Sequence, residues 1–189
     1  MLATVSKTLE VLLEWVVIAL MVVLTAVVIV AVLARFSGNS FSWYDEVASV
    51  LLAWITYYGA GLAALKRKHI GFDGVLLALP ERGRLAGAWV AEAITLSFFV
   101  LMAWAGLEVL AVLEGMSLTS LTWVPVQLTQ SVIPIGAVLF IVGSLLSFPG
   151  YLDMVRRGES AEHAEIEAEI AEAERTFGTG RETGREKDI

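Results

Sequence analysis

Two clusters of charged residues flank one long uncharged stretch of this sequence. Asp45 and Glu46 precede the stretch, Lys66, Arg67 and Lys68 follow it, and no charged residue lies in between. Acids and bases at the ends of one element can pair with neighbouring elements, and a basic cluster beside a membrane can bind anionic lipid headgroups. The three bases are therefore a topology signal and candidate lipid-headgroup contacts.

A second chemical candidate is an acid inside an apolar run. Glu92 and Glu108 interrupt the run at about 85–113, and only fifteen residues separate them. Because that distance is too short for a complete membrane span, one acid is expected within the apolar layer or close to an interface. Glu92 could be a proton or sodium site. We favour instead a pairing with Arg84 or another base of the second loop.

Several classes of chemistry have no support in the sequence. The chain has no cysteine and only two histidines, His69 and His163, which excludes disulfides and thiolate metal sites and leaves a haem without paired intramembrane ligands. The formal net charge is -7, so nucleic-acid binding has no support either. We expect no catalytic, metal or cofactor site and therefore no enzyme.

Four apolar runs must position these groups. The chain has 189 residues, 57% of them hydrophobic, and a mean hydropathy of +0.74, values typical of an integral membrane protein. The predicted fold is all-α, with membrane helices at about 15–34, 47–65, 85–113 and 124–148 forming a domain over residues 1–155. Pro149-Gly150 is the expected end of the last helix. The charged segment 156–189 is expected to be a mobile acidic tail.

Counting bases near the ends of the spans predicts the orientation. With four crossings, eight bases fall on one side and Arg35 alone on the other. The positive-inside rule then places both termini in the cytoplasm. Between the second and third spans, the largely apolar segment Ile70 to Pro80 is suited to lying at the membrane surface.

The second span has two distinct faces. Ser42 and Asp45 have the spacing of a helix capping box, and Trp43 falls at the expected headgroup level. One face then carries only small side chains, at Ser49, Ala53, Thr56, Ala60 and Ala63. The roughly opposite face is bulky, with Leu51, Trp54, Tyr58, Leu62 and Leu65. Since small faces let helix backbones approach closely in lipid, we expect the small face to pack on protein.

Two further sets of residues have alternative interpretations. Arg35 lies on the same side as Asp45 and Glu46; it could contact another protein, but we favour an ion pair within the subunit. In the fourth span, Gln127, Gln130 and Ser131 precede Pro134, which should free a backbone carbonyl and kink the helix. These polar groups could line a path through the membrane, but we favour their satisfying backbone groups.

The combination of short motifs resembles the small membrane subunit of tripartite ATP-independent periplasmic (TRAP) transporters. The resemblance covers roughly Trp15 to Phe148, and Asp45-Glu46 stands where that family usually has Glu-Glu. The matching elements are Arg35-Phe36, Trp43-x-Asp45-Glu46, Trp54, Gly59, the segment Lys66 to Asp73 (Lys-Arg-Lys-His-Ile-Gly-Phe-Asp), Leu79-Pro80-Glu81-Arg82, Trp123-Val124-Pro125 and Ile133-Pro134-Ile135-Gly136.

The resemblance implies a role and partners. It implies a bacterial inner-membrane protein that joins a large membrane subunit, which imports organic acids with a sodium gradient, and that works with a periplasmic solute-binding protein. Any sodium site would then lie in the large subunit. Arg35, Trp43, Asp45, Glu46 and the small face of the second span become candidate inter-subunit residues. The alternative is a free-standing four-helix protein that organises lipids or other proteins.

Overall fold

The fold is built from helices. A computed structural model describes residues 2–67 and 79–158, together with residues 170 and 173. Its helices are α1 (Leu2–Phe36), α2 (Tyr44–Lys66), α3 (Glu81–Val112), α4 (Val126–Gln130) and α5 (Val132–Arg157). Four helical stretches are long and apolar enough to cross a membrane, the last formed by α4 and α5 together. The predicted all-α fold with four membrane helices is confirmed.

Two predicted segments lie wholly or largely outside the described residues. The surface segment Ile70 to Pro80 falls mostly within 68–78, and the acidic tail falls within 159–189, apart from residues 170 and 173. Contacts divide the chain into two compact units, Met1–Ile70 with Ala91–Pro149, and Gly71–Val90 with Gly150–Ile189. The contacts between helices described below all lie in the first unit.

The start of α2 differs from the expected capping box. The N-cap residue is Trp43, and no side chain makes a capping hydrogen bond. Because the helix begins at Tyr44, the Ser42 hydroxyl lies one position too early to accept from the first-turn N–H groups. The capping-box prediction is therefore wrong.

The fourth span is interrupted near its start and runs further than expected at its end. The interruption falls at Ser131, between α4 and α5, three residues before Pro134. The expected stop at Pro149-Gly150 is wrong, because α5 continues through Pro149 to Arg157. Proline removes one backbone hydrogen bond, but its fixed φ is close to the helical value and does not forbid continuation. The helix ends before Gly158, which has φ +75°.

Glycines bring α2 and α5 close together. A Cβ added at Gly143 would lie 3.0 Å from the carbonyl oxygen of Gly61, and one added at Gly136 would lie 2.7 Å from the Cβ of Tyr57. In lipid, such close approach of backbones is a main source of helix association. The ring of Phe140 in α5 stacks on that of Phe99 in α3 at 3.5 Å between centroids. The helix α5 therefore packs against both α2 and α3.

Candidate functional site

The most developed polar arrangement begins at the last turn of α2. Arg67 is the C-cap residue of this helix, and its backbone adopts the left-handed conformation with φ 52°. It is the one described residue other than glycine with positive φ. Its N–H donates to the carbonyls of Ala63 and Ala64, which satisfies carbonyl groups that a helix end otherwise leaves unpaired. The sharp turn of the chain places the Arg67 side chain beside α3 and α5.

The Arg67 guanidinium and the Glu92 carboxylate form a forked ion pair. Nη1 donates to Oε2 at 2.8 Å and Nη2 donates to Oε1 at 3.0 Å. The Glu92 side chain is 7% exposed and that of Arg67 is 19% exposed. Two parallel hydrogen bonds fix both distance and orientation, and few waters can compete with them here. The pair therefore joins the end of α2 to α3.

Two serines of α5 complete this arrangement. Ser144 Oγ donates to Glu92 Oε1 at 2.5 Å, and the Ser144 carbonyl accepts from Arg67 Nη2 at 3.1 Å. Arg67 Nε donates to Ser147 Oγ at 2.9 Å, and the guanidinium lies 5.4 Å from the centre of the Phe148 ring. We call Arg67, Glu92, Ser144 and Ser147 the clamp. It connects α2, α3 and α5 through charged hydrogen bonds in a largely buried setting.

The residue before Arg67 makes a parallel connection to α1. Lys66 Nζ donates to Glu14 Oε1 and lies 3.3 Å from Glu10 Oε1. These side chains are about one-third exposed, so the contact contributes less than the buried pair. Two consecutive cations at the end of α2 thus reach all three of the other long helices.

The polar groups of the clamp already have partners within the chain. Each carboxylate oxygen of Glu92 already accepts from Arg67, and one also accepts from Ser144. Among the residues that the structure describes, no three histidine, cysteine or acidic side chains come together as metal ligands. A charged network with its partners in place holds helices in register.

Two of the three predicted lipid contacts have intramolecular partners. Lys66 pairs with α1 and Arg67 pairs with Glu92, while Lys68 lies outside the described residues. Glu92 is buried, and its partner is Arg67 of the second loop. Sequence reasoning did not single out Ser144 and Ser147 or the acids of α1. The available signal was the three-residue spacing of two serines in an otherwise apolar helix.

The polar residues of the fourth span bond to backbone carbonyls. Gln127 Nε2 donates to the carbonyl of Leu110 at 2.9 Å, and Ser131 Oγ donates to that of Leu128 at 2.7 Å. The carbonyl of Thr129 accepts from Trp54 Nε1 of α2 at 3.0 Å. Leu128 and Thr129 lie beside the interruption at Ser131, whereas Leu110 belongs to α3. None of these three bonds reaches the carbonyl of Gln130, the group that Pro134 was expected to free, so the favoured interpretation stays a prediction for that carbonyl.

We call the opposite end of the helices the Arg35 end. There, Glu46 has hydrogen-bond partners within the chain, whereas Arg35 forms none of the ion pairs found in the described part of the chain. The Glu46 carboxylate accepts from the backbone N–H groups of Thr119 and Ser120, each at 2.9 Å, and from the Ser120 hydroxyl. It thereby holds the loop between α3 and α4 against the start of α2. Arg35 belongs to none of the ion pairs found within 2–67 and 79–158. The expected intrasubunit pair of Arg35 is therefore absent from this part of the chain.

The small face of α2 is partly accessible. Ser49 and Thr56 are exposed, while the three alanines, Ala53, Ala60 and Ala63, are half-buried. The hydroxyls of Ser49 and Thr56 donate to the carbonyls of Asp45 and Leu52 of their own helix, at 2.7 and 2.8 Å. Since these hydroxyls are already satisfied, the face presents little unmet polarity and suits close helix packing. Trp43, at the start of the helix, is half-buried and contacts Phe41.

Comparison with known proteins supplies the family. No curated protein matches the chain. A family model does match residues 24–149; its description is tripartite ATP-independent periplasmic transporters, DctQ component. The match includes the second and third spans, Glu92 and both clamp serines, together with the C-terminal part of the first span and the fourth span as far as Pro149. The chain therefore belongs to the DctQ family and is the small membrane component of a TRAP transporter.

Proposed function

We propose that this chain is the scaffold subunit of a sodium-driven secondary transporter that imports organic acids. A periplasmic binding protein delivers the acid, the large membrane subunit moves it, and this chain pairs with the large subunit and braces it without binding solute. The observation that carries the proposal is the clamp. Its largely buried charged side chains, Arg67 and Glu92, pair with each other and so hold α2 to α3. Sodium coupling belongs to the large subunit.

The distribution of polar groups supports a brace over a carrier. A carrier for an anion needs oriented donors, cations or broken helix ends near the middle of the membrane. In the part of the chain that the structure describes, the buried polar residues are Glu92, Thr129 and Ser144. Each bonds to another group of the chain, so these residues leave no evident carboxylate site.

Exposure of the spans supports a partner within the membrane. The fourth span buries 44% of its most apolar window within the chain, whereas the other three bury 6 to 11%. Such largely uncovered helices are available to lipid or to another membrane protein. The small face of α2 is the part whose side chains best allow a second helix to approach.

Orientation is part of the proposal. The excess of bases at the end that carries Lys66 and Arg67 supports a cytoplasmic location for that end and for both termini, in the bacterial inner membrane. The Arg35 end would then face the periplasm, from which the binding protein delivers its solute.

Co-purification with the large subunit tests the proposed pairing. Ala60→Trp places a large ring on the small face of α2 and is expected to abolish a stable one-to-one complex in detergent. Leu62→Ala, on the bulky side of the helix, should leave the complex intact. A matched control is Ala26→Trp at an exposed position of α1.

Three outcomes would contradict this proposal. If the wild-type chain forms no complex with the large subunit, the pairing itself is wrong, and a free-standing organising protein becomes the better description. If Ala60→Trp and Ala26→Trp retain the large subunit equally, the assignment of the small face is wrong. Uptake of organic acid by liposomes that contain this chain alone would overturn the scaffold role.

A further inference from the structure

A cavity at the Arg35 end has features that the scaffold role does not use. It has a volume of about 320 Å³ and lies where α1 ends and α2 begins. This volume is at the lower end of the range usual for small-molecule sites. The lining residues are Ala31, Val32, Arg35, Ser40, Phe41, Ser42, Tyr44 and Asp45.

Two opposite charges line this cavity without forming a pair. Arg35 and Asp45 both contribute to its wall, yet none of the ion pairs within residues 2–67 and 79–158 joins them. Both side chains are exposed, so each charge is solvated in the structure and accessible to a ligand that enters the cavity. An occupant carrying an anion toward Arg35 and a cation toward Asp45 would complete both charges.

The apolar surroundings indicate an occupant with a hydrocarbon chain. Val32 lines the cavity and is 44% exposed, and Val28 and Met21 continue the same side of α1 with exposures of 38% and 55%. Between them, the Thr25 hydroxyl donates to the carbonyl of Met21 at 2.8 Å and so is already satisfied. A continuous apolar stripe thus runs from the cavity along the membrane-spanning part of α1.

We propose that this cavity binds the headgroup of a phospholipid that carries both charges, with a primary ammonium group. The phosphate lies against the Arg35 guanidinium, the ammonium donates to the Asp45 carboxylate, and an acyl chain follows the stripe of α1. Phosphatidylethanolamine has this chemistry. Phosphatidylglycerol offers no cation to Asp45, and the quaternary ammonium of phosphatidylcholine has no N–H to donate.

Lipid binding by the full-length protein in detergent tests the proposal, with native mass spectrometry as the readout. Wild-type protein is expected to retain phosphatidylethanolamine at least about tenfold more tightly than phosphatidylglycerol, a difference of about 1.4 kcal/mol. Arg35→Gln should weaken both lipids, because both contain the phosphate. Asp45→Asn should weaken only phosphatidylethanolamine and so remove the preference. Arg156→Gln, which changes a base far along the sequence at 60% side-chain exposure, should match wild type.

Four results would overturn the proposal. The first is equal binding of the two lipids by wild type, and the second is wild-type selectivity in Asp45→Asn. The third is competition by soluble phosphoethanolamine at the same concentration as the lipid, which would make the site one for a free phosphate compound. If Arg35→Gln instead weakens capture of the periplasmic binding protein and leaves lipid binding unchanged, the cavity is a protein contact and not a lipid site.

Discussion

Replacing Glu92 by glutamine should strongly destabilise the folded protein. The change keeps the shape of the side chain but removes its charge, so the Arg67 guanidinium stays largely buried without an anion. Both side chains are less than one-fifth exposed, and removing one partner of a buried pair typically costs about 3 to 5 kcal/mol. Because the glutamine oxygen can still accept one hydrogen bond, we expect about 3 kcal/mol, or roughly a 100-fold change in the unfolding equilibrium constant.

The measurement is reversible unfolding of the full chain in bicelles, titrated with sodium dodecyl sulfate and followed by the fluorescence of its six tryptophans. A surface pair provides the matched control: Asp153 and Arg156 lie 3.8 Å apart with side chains 65% and 60% exposed. Asp153→Asn should change the free energy of unfolding by less than about 0.5 kcal/mol.

A double variant separates the charge effect from packing. Arg67→Met together with Glu92→Leu removes both charges and keeps apolar volume, so its stability should return to within about 1 kcal/mol of wild type. Comparison of this double variant with the single variants Arg67→Met and Glu92→Leu should then give an interaction energy of about 2 kcal/mol or more. If Glu92→Gln unfolds like the Asp153→Asn control, the buried pair does not hold α2 and α3 together and the reasoning is refuted.

Three further predictions concern packing, the loop and topology. Gly136→Ala should destabilise the protein by about 1 to 3 kcal/mol in the same unfolding assay, because the new Cβ would lie 2.7 Å from the Cβ of Tyr57. The control Gly59→Ala, which has open space around the added Cβ, should be neutral or stabilising. Glu46→Gln should speed hydrogen exchange of the Thr119 and Ser120 amides, which donate to Glu46, while the Leu118 amide, bonded to Val124, keeps its protection; equal rates in wild type and variant would contradict the assigned contact. The chain has no cysteine, so a single introduced cysteine reports on its own position. In the proposed orientation, a cysteine at Asn39 should react with an impermeant thiol reagent in intact cells and one at Asp153 should not; the reverse pattern would show the opposite orientation.

The number and approximate position of the spans could be predicted from the sequence. Apolar runs long enough to cross a bilayer have few alternatives, since every backbone polar group in lipid must be bonded within the chain. Helix ends were less predictable. The ends of α2 and α5 depend on backbone conformation at Trp43 and Gly158, which local residue preferences indicate only weakly.

The composition of the clamp could not be predicted, although its most important acid could be singled out. An acid in an apolar run must find a partner, and this physical requirement alone made Glu92 conspicuous. Which of several nearby bases becomes that partner depends on how the chain turns at the end of α2. The left-handed backbone of Arg67 directs its side chain to α3 and α5. Its partners Ser144 and Ser147 in α5 are about 80 residues away along the chain, and no local sequence pattern connects them to residue 67.

The sequence by itself determined a four-span membrane helix protein, the acid that needs a partner and the small face of α2, because hydropathy, charge and helical periodicity are local properties. Only the tertiary structure decided that Arg67 pairs with Glu92, that Glu46 holds the loop at Ser120, and that Arg35 and Asp45 line one cavity without pairing. The first two contacts join residues 25 and 74 positions apart in the chain, and the third depends on how the short loop between α1 and α2 turns, so none of them follows from a local pattern. For the pair of Arg67 and Glu92, the close approach of α2 and α5 at their glycines helps to bring the end of α2 beside the other helices.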